Sequence, residues 1–368
     1  MKHTLQKGFT LVELMVGVVL GLLTVLVITQ VTVQAENRRR AVSMGSDAQI
    51  NGSLALFALQ RDIQMAGYGA LSSPDALGCT ILTQFSAAST TYSYTLAPVV
   101  ITDGASGAPD TVQVMLARTR GSSVPIKIAE NHPQSSNNFV VTSSLGVSAG
   151  DLMIAVPKTQ SAATNCAVFS VQADTSSAST TLSATRIPHV STSTSKWNVN
   201  AIFPAAGYAK DDYLLNMGSM VVRAYTVSAT NELVAMEVST STGAQETRPF
   251  YPQIVNLQAM YGKDTSGDGV IDLYDNTTPT TAADWQKVQN IRLAVVARSA
   301  HYEKDAVTTS APLWDVGASV SVSGTTTATC NSGSKCITLK VNQDTDWQHY
   351  RYKVYETIVP LRNVLWNS

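Results

Sequence analysis

The residues best equipped for chemistry in this sequence lie between positions 264 and 275, in the run Asp264-Thr-Ser-Gly-Asp-Gly-Val-Ile-Asp-Leu-Tyr-Asp275. Against the calcium-loop template they supply side-chain oxygen at position 1 (Asp264), 3 (Ser266), 5 (Asp268) and 9 (Asp272). A backbone carbonyl falls at position 7 (Val270), a carboxylate at 12 (Asp275), and Gly269 sits at 6, where the chain must turn sharply. An all-oxygen set suits hard Ca²⁺, the one cofactor the sequence suggests. Serine at position 3 and the short arm of aspartate at 12 depart from the template. The flanking segments look extended, so this would be a calcium loop without EF-hand helices. Without a cation the same residues make an acidic, glycine-rich turn in water.

Catalytic groups are harder to assemble. Gly146-Val-Ser-Ala-Gly150 matches a nucleophile elbow around Ser148, but that device needs a strand before the serine and a helix after it. Here Asp151–Val156 reads as a strand, ended by Pro157. The five histidines are scattered, with no HExxH spacing, and we read the chain as a non-enzyme. Cys79, Cys166, Cys330 and Cys336 show neither a CxxC nor a Cys/His metal spacing, and their even number suits an oxidising compartment. Cys330 and Cys336 bracket a turn-like Asn-Ser-Gly-Ser-Lys and are candidates to close a small loop, leaving Cys79 to pair with Cys166. The two other connectivities remain open at this stage.

Net charge is -1 over 368 residues, and only 14% are charged. Phosphate binding needs a clustered basic surface that releases counterions, so no direct nucleic-acid partner is expected. His301-Tyr302 and the Trp347–Tyr355 aromatics could stack bases, but without a basic groove they read as packing.

The segment that must position all this opens the chain. After a short basic leader ending in Lys7-Gly8, an apolar run from Phe9 to about Val33 is long enough to cross a bilayer as a helix. No small-residue cleavage site follows it; Gln34, Glu36, Asn37 and Arg38–Arg40 do. Within the run stands Glu13, a carboxylate whose insertion costs about 2.5 to 3.5 kcal/mol and which therefore calls for a partner or a function. No proline occurs before Pro74, and Ile50, Leu54 and Phe57 keep helical spacing, so one helix is predicted from the membrane to near residue 66.

Beyond Gly67-Tyr68-Gly69 the pattern changes to short alternating runs such as Thr111–Leu116, Val221–Val227, Ile291–Ala297 and Tyr350–Val354. The fold class is thus α+β: a long N-terminal α-helix, apolar in its first half and amphipathic in its second, then a β-rich globular region of antiparallel strands. The boundaries are a leader at 1–8, a transmembrane and polymerisation helix at 9–34, an amphipathic continuation at 35–70 and the globular region at 71–368.

Lys7-Gly-Phe-Thr-Leu-Val-Glu-Leu14 resembles the cleavage and methylation motif of type IV prepilins and pseudopilins. The resemblance implies cutting by prepilin peptidase between Gly8 and Phe9, N-methylation of Phe9, and Glu13 as the fifth mature residue. In a staggered bundle, the Phe9 ammonium of one subunit would neutralise Glu13 of another. Arg61-Asp-Ile-Gln-Met-Ala-Gly-Tyr68, Leu257-Gln-Ala-Met-Tyr-Gly262 and Pro360-Leu-Arg-Asn363 together resemble the PilW family of large minor pilins. That family implies a minor pilin that primes a pilus and sits at its tip, supporting twitching, adhesion or DNA uptake. Implied partners are other minor pilins, the major pilin, a PilY-type tip adhesin, the inner-membrane assembly platform and, before assembly, membrane lipid. The implied location is the bacterial inner membrane, single-pass with a periplasmic globular region, then the pilus tip. A minor pseudopilin of type II secretion and a membrane-tethered calcium-dependent binding module are the alternatives.

Overall fold

The computed structural model describes residues 8, 10–118, 124–172, 181–192, 194–317, 321–322, 328–330 and 333–365. Lys7 and Phe9 lie outside them.

A single helix, α1 (Leu11–Met65), opens the fold and runs unbroken through Gln30. At 1.5 Å per residue it is about 80 Å long. In its apolar half the hydroxyls of Thr24, Thr29 and Thr32 donate to carbonyls one turn back, so these polar groups are satisfied within the helix. It stops at Met65, short of position 70, because Gly67 turns into the left-handed region at φ +77° and its amide goes instead to the Met115 carbonyl.

Twenty strands follow among the described residues. In chain order the first nine are β1 (Thr80–Gln84), β2 (Thr91–Thr95), β3 (Val99–Gly104), β4 (Ala108–Arg118), β5 (Ile126–Lys127), β6 (Asn138–Val140), β7 (Leu152–Val156), β8 (Cys166–Ser170) and β9 (Arg186–Pro188). Next come β10 (Tyr213–Val227), β11 (Glu232–Val238), β12 (Gln245–Pro252), β13 (Ile254–Lys263), β14 (Leu273–Asp275) and β15 (Val288–Arg298). The last are β16 (Leu313–Gly317), β17 (Ser321–Val322), β18 (Ala328–Thr329), β19 (Lys335–Thr338) and β20 (Tyr352–Pro360). Two short α-helices, α2 (Ala282–Gln286) and α3 (Arg362–Leu365), accompany them among the described residues.

Ten strands form one sheet with the path β12-β11-β10-β7-β8-β1-β2, to which β3, β4 and β5 attach around β10. A second sheet has the order β17-β14-β13-β15-β20. Pairing is mostly antiparallel, as the alternating runs predict; β1 with β8 and β14 with β17 are the parallel pairs among the described strands. The main core fills the space between helix and sheets. Leu59 and Ile63 of α1 meet Val112 and Val114 of β4, Tyr225 of β10, Leu257 of β13, Leu293 of β15 and Val359 of β20.

The sheets are also pinned by buried polar groups. Asp110 accepts from the Gly104 amide at 2.8 Å on its own hairpin and from the Ala259 amide of β13 at 2.7 Å. Burial pushes its carboxyl up to about 7 against the pull of those two amides. Cys79 is joined to Cys166, Cα atoms 6.0 Å apart, and Cys330 to Cys336, 5.8 Å apart. The first bridge closes 87 residues of chain and fastens the β1–β2 hairpin, which pairs with β8 at only two positions.

Candidate assembly surface

The site grows from the first turn of α1. Thr10 is its N-cap: the Thr10 hydroxyl accepts from the Glu13 amide at 3.3 Å, while the Glu13 carboxylate accepts from the Thr10 amide and hydroxyl, each at 3.0 Å. This reciprocal capping box satisfies donors that a helix start leaves free. Glu13 therefore has a partner within its own chain. Its spacing from Thr10 is the signal that would have revealed it. Gly8 is exposed two residues earlier.

From Leu11 to Glu36 the helix is exposed all round, with mean hydropathy 2.7. The later half is two-faced. Ala48, Gly52, Ala55, Leu59, Asp62 and Ile63 turn inward, and a Cβ on Gly52 would overlap the Tyr355 ring of β20. Ile50, Leu54, Phe57 and Met65 turn outward, 53%, 45%, 63% and 44% exposed. Their spacing draws one apolar stripe along this half of the helix. Ordinary amphipathic helices keep such a stripe for the core; here the globular region takes the opposite face.

Asp62 fixes which face is taken. It is 7% exposed and accepts from Arg223 Nη1 and Tyr225 Oη, both at 2.6 Å. Arg223 in turn holds Glu237 through Nε and Nη2 at 3.1 and 3.0 Å. At the helix end the Asn363 side-chain amide donates to the Ala66 carbonyl at 2.7 Å, capping α1 from the far end of the chain. Two of the three stretches singled out in the sequence thus meet here: Arg61–Tyr68 supplies Asp62 and Ala66, and Pro360–Asn363 supplies the cap. The third, Leu257–Gly262, is β13, buried beneath them, where Tyr261 Oη accepts from the Ile101 amide at 2.6 Å.

The acidic loop is arranged differently from the calcium template. Asp264 accepts from the amides of Gly267 at 2.6 Å and Gly269 at 2.7 Å, and from Gln289 at 2.9 Å. Asp272 takes the Thr265 amide and hydroxyl, each at 2.8 Å, and the Ser266 amide at 3.0 Å; the Thr265 bonds hold its carboxyl below the usual range. Asp268 turns to the Val270 amide, and Asp275 is paired with Lys263 at 2.6 Å. Among the described residues no three of these carboxylates bring ligand oxygens within 4.8 Å of one another. The one described cluster that does, Asp315 with Cys330 and Cys336, has its sulfurs joined to each other. Ser148 lies in an exposed turn, where its amide donates to Asp151 and β7 follows, so strand and helix do not flank it. Tyr302 stacks on His349 at 4.5 Å rather than standing free as a platform.

Comparison with known families gives two matches. Residues 4–29 match the prokaryotic N-terminal methylation motif, and residues 221–363 match PilW, the type IV pilus-assembly protein W. No curated protein and no solved structure matches the chain. The second region holds Arg223, Tyr225, Glu237 and Asn363, the residues that seat α1. A methylation motif at the head of the exposed helix and a PilW match over the segment that seats that helix together support a PilW-like prepilin of the type IV pilus, with a pilin-like role in pilus assembly.

Proposed function

We propose that this prepilin is a minor pilin that primes a type IV pilus and remains in a complex at its tip, with a periplasmic globular region before assembly. One observation carries the reading: a 55-residue helix whose apolar outer stripe at Ile50, Leu54, Phe57 and Met65 is left uncovered by its own globular region. Before assembly the first half rests in lipid; afterwards the whole stripe packs on helices of neighbouring subunits. Cutting after Gly8 by prepilin peptidase and methylation of Phe9 precede that transfer. The remaining partners are the major pilin, other minor pilins, a PilY-type adhesin and the assembly platform.

A strain lacking the chain is expected to lose surface pili, and the wild-type gene to restore them. A Leu54→Ser/Phe57→Ser variant should fail to restore them by tenfold or more while unfolding within a few degrees of wild type, since both residues face outward. Normal pili with lost exoprotein secretion would instead assign the chain to a secretion pseudopilus.

Calcium has no part in this proposal. With Asp264 taken by amides and Asp275 by Lys263, the loop is expected to hold its shape without a cation. Calorimetry on the full chain in detergent should record no heat at millimolar calcium, with Asp268→Ala indistinguishable. Saturable heat lost in that variant would reinstate the site.

A further inference from the structure

Behind the ten-stranded sheet lies a second apolar cluster that the assembly surface does not use. The two-stranded sheet β6–β9 and the segments around it pack Phe139, Ile187, Phe203 and Tyr208 onto Met153 and Ala155 of β7 and Ala167 and Phe169 of β8. At its centre are two histidines, His132 at 2% and His189 at 0% exposure. Their Nε2 atoms are 2.8 Å apart. His132 stacks on Phe139 with ring centres 3.7 Å apart, and Phe203 stands edge-on to His189 at 5.1 Å. The backbones are held as well: His132 exchanges amide bonds with Tyr208, and the His189 amide donates to Asn137.

Proton counting makes this pair unusual. One Nε2–H must donate to the other ring's Nε2, so the accepting ring carries its proton on Nδ1. Neither Nδ1 has a hydrogen-bond partner among the described residues. The neutral pair therefore already holds one buried N–H without an acceptor. A further proton would add a second such N–H and a charge within an aromatic cluster. The charged and titratable groups on the elements packed around the pair are engaged elsewhere. Tyr208 Oη donates to the Asn165 carbonyl, Asp212 accepts from the Lys158 and Ala209 amides, Arg186 reaches Asn138, and Lys127 pairs with Asp211. Glu130 is exposed.

We propose that the His132–His189 pair is an acid-release latch, closed while both imidazoles are neutral and opened by protonation, which loosens residues 126–142 and 183–209 from the back of the sheet. Burial pushes His132 down to about 4 and, with the neighbouring His132 adding to it, His189 well below its ordinary value. Both folded values lie below about 6.5, the unfolded one, so the open form binds protons first. The latch is fully effective above pH 6.5 and weakens as pH falls towards 4. Asp110, raised in the fold, has the opposite sign and belongs to the other core.

Hydrogen exchange on the full chain in detergent, corrected for intrinsic rates, tests this. Between pH 7 and 5, protection of 126–142 and 183–209 is expected to fall about twenty-fold for each histidine released, with no such loss in β13 and β15. His189→Met should flatten that dependence. Unchanged protection in the wild type, or an unaltered slope in the variant, would overturn the proposal. Should His189→Met not fold, imidazole nitrogen shifts of the wild type decide: both rings neutral at pH 6 supports the latch, and an imidazolium in a still-protected cluster refutes it.

Discussion

Replacing Glu13 with glutamine is expected to exclude the chain from filaments as thoroughly as replacing it with alanine. Glutamine at this position keeps a capping box with Thr10, so the helix start survives and only the charge is lost. If the charge of Glu13 serves to neutralise the Phe9 ammonium of another subunit, both variants leave that ammonium unpaired among apolar helices. The penalty is roughly 3 kcal/mol, or about a hundred-fold less chain in sheared filaments relative to membranes. Thr10→Val makes the complementary test. It removes the cap, at about 1 kcal/mol, but leaves the carboxylate, and incorporation should be largely retained. Assembly-competent Glu13→Gln would mean that capping alone explains why a carboxylate stands in the apolar run.

The second large effect belongs to Asp62. Asp62→Ala strands the half-buried Arg223 guanidinium with half of its partners and removes the acceptor of the buried Tyr225 hydroxyl. Loss of one member of such a network costs about 3 to 5 kcal/mol. Thermal unfolding should shift down by about 10 °C. Asp62→Asn, which still accepts from Tyr225, should fall less. An unchanged transition in Asp62→Ala would show that apolar packing alone seats α1.

Much of this architecture is legible in the sequence because its signals are local. The apolar run, the lone Glu13, the helical spacing of Ile50, Leu54 and Phe57 and the stop at Gly67 each lie within a few residues of their consequence. The exposed side of the stripe was not legible: those three residues satisfy the same periodicity whether they face a core or a neighbour, and only the burial of Asp62 and Gly52 decides the face. Asp62 and Arg223 are 161 positions apart, and Asn363 caps Ala66 across 297, distances over which spacing carries no information. The acidic loop is ambiguous in a different way. Its residue types fit a calcium template, but the same oxygens are equally good acceptors for the amides and the lysine beside them. The histidine pair carries no spacing signal either, since His132 and His189 meet through tertiary packing alone.

The most direct measurement is mass spectrometry of the chain recovered from sheared surface filaments. The expected result is an N-terminal peptide beginning at N-methylated Phe9, present in substoichiometric amount beside the major pilin. Recovery from membranes alone, with residues 1–8 still attached, would contradict it.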